Sequence, residues 1–192
     1  MKRKKLTASM IALVMSVSLP MTTYAANWYL EDGSVTVNAD NSGQTVTQGG
    51  GSAVPDEAPV ITQRESSVET GNTIAINASD NATANVTIKD INIKSSNDAI
   101  DVKGSSSANI TLEGDNKIFS ETGSALHISD GNVTIGGSGS LKAEIQDDRG
   151  SGANYNAKIG SHENEDMSGS IHITGDATVK TDDNTALEYF GD

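Results

Sequence analysis

Cysteine is absent from all 192 residues, so neither disulfides nor thiolate metal sites hold this chain together. Stability must come from burial and hydrogen bonding. Proline occurs only three times and aromatic residues make up 4%, which leaves a planar sugar-binding platform few rings to draw on beyond the leader: Trp28, Tyr29, Phe119, Tyr155, Tyr189 and Phe190. Positive charge is scarce as well. After Ala25 nine basic residues face 26 acidic ones, a balance of −17. Such a surface repels nucleic acid and anionic membrane and favours cations or neutral partners. Long apolar runs are missing beyond Leu19, so no stretch of the remaining chain is expected to span a bilayer.

What is present begins with an export signal. Lys2, Arg3, Lys4 and Lys5 form a basic head, Leu6 to Leu19 an apolar centre, and Thr23 and Ala25 the small residues a signal peptidase reads. Residues 1–25 are therefore expected to be a signal peptide cleaved after Ala25, giving a secreted, extracellular or cell-surface protein. About 167 residues remain, the size of one ordinary domain. Their 19 Gly and many Asn, Asp, Ser and Thr point to short strands joined by turns.

A pattern set by Asn85 to Val102, NVTIKDINIKSSNDAIDV, returns three more times. Asn109 opens NITLEGDNKIFSETGSALHI, Asn132 opens NVTIGGSGSLKA followed later by NAKIG, and Ser170 opens SIHITGDATVKTDDNTALEYF. Val86, Ile110, Val133 and Ile171 lead the copies; Ile93, Ile118, Leu141 and Val179 follow, and then Ile100, Leu126, Ile159 and Leu187. Self-similarity at a period of about twenty-odd residues, with three short strands in each, signals a solenoid whose units must stack to bury their inner faces. Asp90, Gly114, Gly137 and Gly175 come four residues after each leading aliphatic and predict a tight bend of positive φ. Thr87, Thr111, Thr134 and His172 are expected on the outer face of the first strand.

Before the clear copies, WYLEDGSVTV (Trp28 to Val37) reads as strand, turn, strand, with Asp32-Gly33 at the turn. Gln44 to Pro59, with three successive glycines and two prolines, reads as a loop or irregular first turn. The organisation expected is residues 26–71 as amino-terminal capping strands and an irregular first coil, continuing as one domain into repeats over 72–192. About four to six coils result. The chain stops at Asp192 within or just after a repeat, so either Tyr189 to Asp192 cover that open edge or further repeats or subunits adjoin it.

The stretches WYLEDGSVTV, ANVTIKDINI (Ala84 to Ile93), ANITLEGDNKI (Ala108 to Ile118), ANYNAKIGS (Ala153 to Ser161) and SGSIHITGDATVKT (Ser168 to Thr181) resemble those of a family of secreted bacterial proteins, the carbohydrate-binding-domain-like surface repeat family. The resemblance implies a right-handed parallel β-helix with a surface or polysaccharide-associated role. Where that family has a glycine-rich loop, this chain has Ile159-Gly160-Ser161-His162-Glu163.

The longest departure from period lies between Ala143 and Gly169, and insertions in a solenoid project from its turns. Asp147, Asp148, Glu163, Glu165 and Asp166 in this stretch are the candidate ligands for Ca²⁺, a cation that takes oxygen donors. Tyr155, Arg149 and His162 are the candidate carbohydrate contacts. The three histidines, His127, His162 and His172, fall in different repeats with no shared spacing and read as separate surface residues. Sequons at Asn77, Asn81, Asn85, Asn109 and Asn132 read as a stacked Asn column rather than glycan acceptors. The expected function is a non-catalytic carbohydrate-binding module for polysaccharide or cell-wall glycan, acidic polysaccharide with calcium included. The alternatives are a structural segment of a larger adhesin and a pectate-lyase-like enzyme using Arg149 beside Asp147 and Asp148. The export signal is tested by mass spectrometry of the exported product, whose first residue is expected to be Ala26; a product retaining Lys2 to Lys5 would remove that reading.

Overall fold

The computed structural model describes residues 25–146, 156–163, 165 and 168–181. The first 24 residues of the leader lie outside the described residues, as do Asp147, Asp148, Arg149, Tyr155, Asp166, Leu187, Tyr189 and Phe190. Among the described residues the fold is all-β apart from one 3-10 turn. The chain runs β1 (Asn27–Tyr29), the 3-10 turn (Leu30–Asp32), β2 (Val35–Asp40), β3 (Gly43–Gln48), β4 (Val54–Pro55), β5 (Val60–Thr62) and β6 (Ile74–Ala78). It continues through β7 (Thr83–Lys89), β8 (Asn92–Ser95), β9 (Ile100–Lys103), β10 (Ser107–Glu113), β11 (Asp115–Ser120) and β12 (Leu126–Ile128). The last elements are β13 (Asn132–Gly137), β14 (Ser140–Ile145), β15 (Ile159–Gly160), β16 (Ser170–Ile173) and β17 (Thr178–Thr181). No helix of the described residues is long and apolar enough to cross a membrane.

Three sheets result. The first orders its strands β1-β5-β7-β10-β13-β16, the second β17-β14-β11-β8, and the third β15-β12-β9-β6-β2-β3-β4. From β7 onward the chain visits the first, second and third sheets in rotation, and each strand pairs in parallel with its counterpart in the next copy, 24 to 26 residues away at first (Asn85 against Asn109, Ile93 against Ile118, Ile100 against Leu126) and 33 to 38 residues away across the insertion (Leu126 against Ile159, Asn132 against Ser170). Inward side chains therefore line up in rows: Val86, Ile110, Ile135 and Ile173 in the first sheet, and Val35, Ile74, Ile100, Leu126 and Ile159 in the third. Buried members of all three sheets belong to one apolar cluster. Each large aliphatic in it is worth roughly 1.5 to 3 kcal/mol of burial.

The register corrects the copy-to-copy alignment. Val86 does face Ile110 and Val133 does face Ile171, but Ile110 lies opposite Ile135, so β13 sits two residues away from the expected pairing. The second sheet slips likewise, with Leu141 opposite Asn116 rather than Ile118. A shift of two leaves every side chain on its own face, so the apolar pattern survives it. The cost is a polar residue in an aliphatic row. Asn116 is buried but satisfied: its Oδ1 accepts from the Ile91 amide (3.3 Å), and its Nδ2 donates to the carbonyls of Glu113 (3.1 Å) and Ser140 (3.0 Å). The Asn column is correspondingly broken into pairs, Asn109 with Asn85 at 2.9 Å and Ser170 with Asn132 at 2.8 Å.

Bends follow the first strands as the small residues require. Asp90, Gly114, Gly137 and Gly175 all have positive φ, between +50° and +101°. The amino-terminal region differs from expectation, because Gln44 to Gln48 is strand: β3 pairs antiparallel with β2, and β4 with β3. Its alternation explains this, since Gln44 and Val46 both turn inward. Gln44 ties the segment to β7, donating to the Asn85 and Asp56 carbonyls and accepting from the Asn85 amide at 2.7 Å. Asp56 in turn accepts from the Trp28 indole at 2.9 Å.

Two substitutions separate the row from the bend. Leu126→Ala, in the third-sheet row, is expected to cost about 2 to 5 kcal/mol. Gly137→Ala places a methyl 2.3 Å from the Leu112 carbonyl oxygen at φ +101°, for a cost of roughly 1 to 3 kcal/mol. The exposed Thr111→Ala stays within about 0.5 kcal/mol of the parent. Urea unfolding midpoints measure all three, and equal midpoints for Leu126→Ala and Thr111→Ala would contradict the assigned row.

Candidate functional site

The outward faces of the third and second sheets carry the polar constellations. On the third sheet, the residues one step beyond the buried row stand side by side: Asp101 on β9, His127 on β12 and Gly160 on β15. His127 faces outward from its strand yet is only 3% exposed. The covering comes from the segment after β15. Gly160 has no side chain to occupy the next place in the column, and the chain returns over His127, laying the His162 ring on it at 3.9 Å between centroids and 10° between planes.

Carboxylates enclose this stacked pair. His127 Nδ1 is 2.8 Å from Asp101 Oδ1 and 3.8 Å from Asp98 Oδ2, and its Nε2 is 2.9 Å from Glu165 Oε2. His162 Nε2 is 2.7 Å from Asp98 Oδ1, and its Nδ1 is 3.6 Å from Glu165 Oε2. Each ring thus turns one nitrogen toward Asp98 and the other toward Glu165.

Backbone contacts fix the arrangement. The Ser124 amide donates to Asp98 Oδ1 at 2.8 Å, and Gly123 permits it, since a Cβ there would meet that same oxygen at 2.4 Å. Asn156 Nδ2 donates to the Thr122 carbonyl while its Oδ1 accepts from the Glu163 amide, both at 2.8 Å, which tethers the returning segment. The Glu163 side chain is exposed.

Burial by itself pushes the His127 imidazole toward its neutral form. Hydrogen bonds to Asp101 and Glu165 and the charges of Asp98 and Asp101 outweigh it, so the group is held above its ordinary value. Glu165 is held below its own, chiefly by the His127 hydrogen bond. Lys103, bonded to Asp101 Oδ2 at 2.5 Å, is raised by that contact.

The second sheet presents a different chemistry. Lys117, Lys142 and Lys180 are paired in register across β11, β14 and β17. Beside them Lys94, Phe119 and Glu144 form the next row, with the Lys94 ammonium 5.6 Å from the Phe119 ring centre. Lys142 is paired with Glu144 at 2.6 Å and Lys94 lies 3.9 Å from Glu69. Among the described residues, Lys117 and Lys180 make no ion pair. Shallow grooves follow this face, one of them between Asp115, Lys117, Lys142 and Lys180.

Of the expected site residues, His162 and Glu165 are brought together and Glu163 stands apart on the same loop. Asp147, Asp148, Arg149, Tyr155 and Asp166 lie outside the described residues. Reading the histidines as unrelated surface groups is overturned for His127 and His162, which share one site; His172 stays apart on β16, exposed. Asp98 and Asp101 were not anticipated. A signal existed, because Asp101 and His127 follow the aligned pair Ile100 and Leu126 by one residue each. No family model, curated protein or solved structure matches the chain.

The linked charges give a pH dependence. His127, facing Asp98, Asp101, Glu165, His162 and, through Asp101, Lys103, contributes stability fully below its unfolded value of about 6.5, lost as pH rises through its higher folded value. Glu165 contributes above its unfolded value of about 4.5, lost as pH falls through its lower folded value. Urea unfolding with EDTA present is therefore expected to show greater stability at about pH 5.5 than at about pH 8.5. His127→Gln flattens the alkaline decline; an unchanged profile in that variant would refute the assignment.

Proposed function

We propose that this is a secreted, non-catalytic polysaccharide-binding module, released after Ala25 and built as a right-handed parallel β-helix of three strands per coil. Rotation of the chain from β7 onward through three sheets by parallel pairing around one apolar cluster supports the helix. The first-sheet to third-sheet order repeats from β7 to β15 without interruption, as a solenoid of about four to six coils requires.

The observation that carries the ligand class is the in-register row Lys117, Lys142 and Lys180 with Phe119 beside it. Parallel strands lie about 4.8 Å apart, so the three lysines leave the sheet at evenly spaced positions, the Lys142 ammonium leaning to Glu144 and those of Lys117 and Lys180 standing on either side of it. An extended polymer with regularly repeated carboxylates matches such a row, and lysine serves as a point-charge partner for anions. The Phe119 ring supplies an apolar surface for the flat face of a sugar. Elsewhere the strongly acidic surface repels the same polymer, which confines it to this face.

Affinity electrophoresis of the exported protein in polygalacturonate, in a neutral glucan and with duplex DNA tests the reading. Retardation is expected in polygalacturonate alone, fading as salt screens the charges. Lys117→Glu combined with Lys180→Glu should weaken binding about tenfold or more, near 1.4 kcal/mol. Absorbance from unsaturated sugar product should not develop. Equal retardation of the double variant, or none in polygalacturonate, would overturn the proposal.

A further inference from the structure

The geometry points to a site for a divalent first-row transition ion of the zinc class on the third sheet, held by His127 Nδ1, His162 Nε2 and the Asp98 carboxylate, with Asp101 completing the set. It stands independently of the polysaccharide reading, on another face and on other residues.

Convergence is the first argument. One donor atom from each of Asp98, His127 and His162 lies within 4.8 Å of the others. Zinc bonds to nitrogen and carboxylate oxygen of about 2.0 to 2.2 Å place tetrahedral donors roughly 3.3 Å apart. Asp98 Oδ1 lies 2.7 Å from His162 Nε2 and its Oδ2 lies 3.8 Å from His127 Nδ1, separations on either side of that value, with one carboxylate oxygen facing each ring. The rings lie 3.9 Å apart and 10° from parallel, so for one ion to lie in both ring planes they must tilt out of the stack toward each other on the Asp98 side. Asp101 Oδ1, 2.8 Å from His127 Nδ1, supplies a fourth donor on the same side, while its other oxygen keeps Lys103.

The outer contacts are those a metal-binding histidine needs. A ligating imidazole commonly donates its second N–H to a carboxylate, which fixes the tautomer and the ring plane. Here His127 Nε2 faces Glu165 at 2.9 Å, on the side away from Asp98, and Glu165 also accepts from the His162 amide at 3.3 Å. Glu165 is thus a positioning residue rather than a ligand. His127 is buried, Asp98 is pinned by the Ser124 amide and the loop carrying His162 is tethered through Asn156, so the donors stay together while the rings tilt.

The donor set selects the ion class. Two imidazoles with two carboxylates suit zinc, copper or nickel, whereas calcium requires six to eight oxygens. The cation for this cluster is accordingly a transition ion on Asp98 and the histidines.

Isothermal titration of the EDTA-stripped, desalted exported protein with Zn²⁺ alone tests the site. One Zn²⁺ per chain is expected, undisturbed by equimolar Ca²⁺, and the ring resonances of two of the three histidines should move on addition. His162→Ala and Asp98→Asn should each lose at least about tenfold in affinity, and Glu165→Gln about ten- to a hundredfold, while His172→Ala binds as the parent does. Circular dichroism of each variant confirms its strand content. The histidine spectrum of the unsubstituted chain decides the question even where a variant does not fold. No saturable Zn²⁺, ring resonances that stay in place, or full affinity in both His162→Ala and Asp98→Asn would overturn the assignment.

Discussion

A strand of two to seven residues offers too few contacts to persist alone, and both its edges carry backbone groups that must be paired. In this chain parallel pairing of each repeat strand with its counterpart in the next copy meets both needs at once. It pairs the backbone, and it brings like side chains into rows, aliphatic ones inward and polar ones outward. Without cysteine, and with few rings, nothing else in the sequence supplies comparable cohesion. The core, the outer faces and the sites on them are consequences of the same registration.

Much of this was legible in the residues. Alternation at Val86 and Ile88, at Ile110 and Leu112 and at Ile171 and Ile173 marked the inner face, and the column Asp90, Gly114, Gly137 and Gly175 marked the bends. What the pattern did not hold was the two-residue slip of β13 and β14. A period-two signal is unchanged by a shift of two, so only the partners of Asn116 reveal it: the buried amide bridges the carbonyls of Glu113 and Ser140. Likewise the strand at Gln44 to Gln48 was hidden by the glycines and prolines that follow it.

The site was legible by half. Asp101 and His127 could be brought together by extending the alignment of Ile100 with Leu126 one residue further. His162 could not, because it reaches His127 by the return of a loop whose path depends on tertiary contacts through Asn156, Thr122 and Glu165. Outward positions of a stacked array therefore carry two kinds of information. Of the row Lys117, Lys142 and Lys180, the last two are aligned by the repeat and Lys117 joins them through the slip of β14. A cluster such as Asp98, His127 and His162 is written where the repeat is interrupted, and the regular part holds its members still.

The antiparallel pair β3 and β4 has a further effect on the third sheet. Every other boundary in that sheet extends by parallel addition, but beyond β2 the direction reverses at β3 and again at β4, and this outermost strand is two residues long and contains Pro55, which has no N–H to offer. Another chain arriving at that margin meets a short template and a missing donor. The third sheet is thus sealed against templated growth at its β4 margin, a safeguard for a molecule whose internal logic is the repeated addition of identical strands.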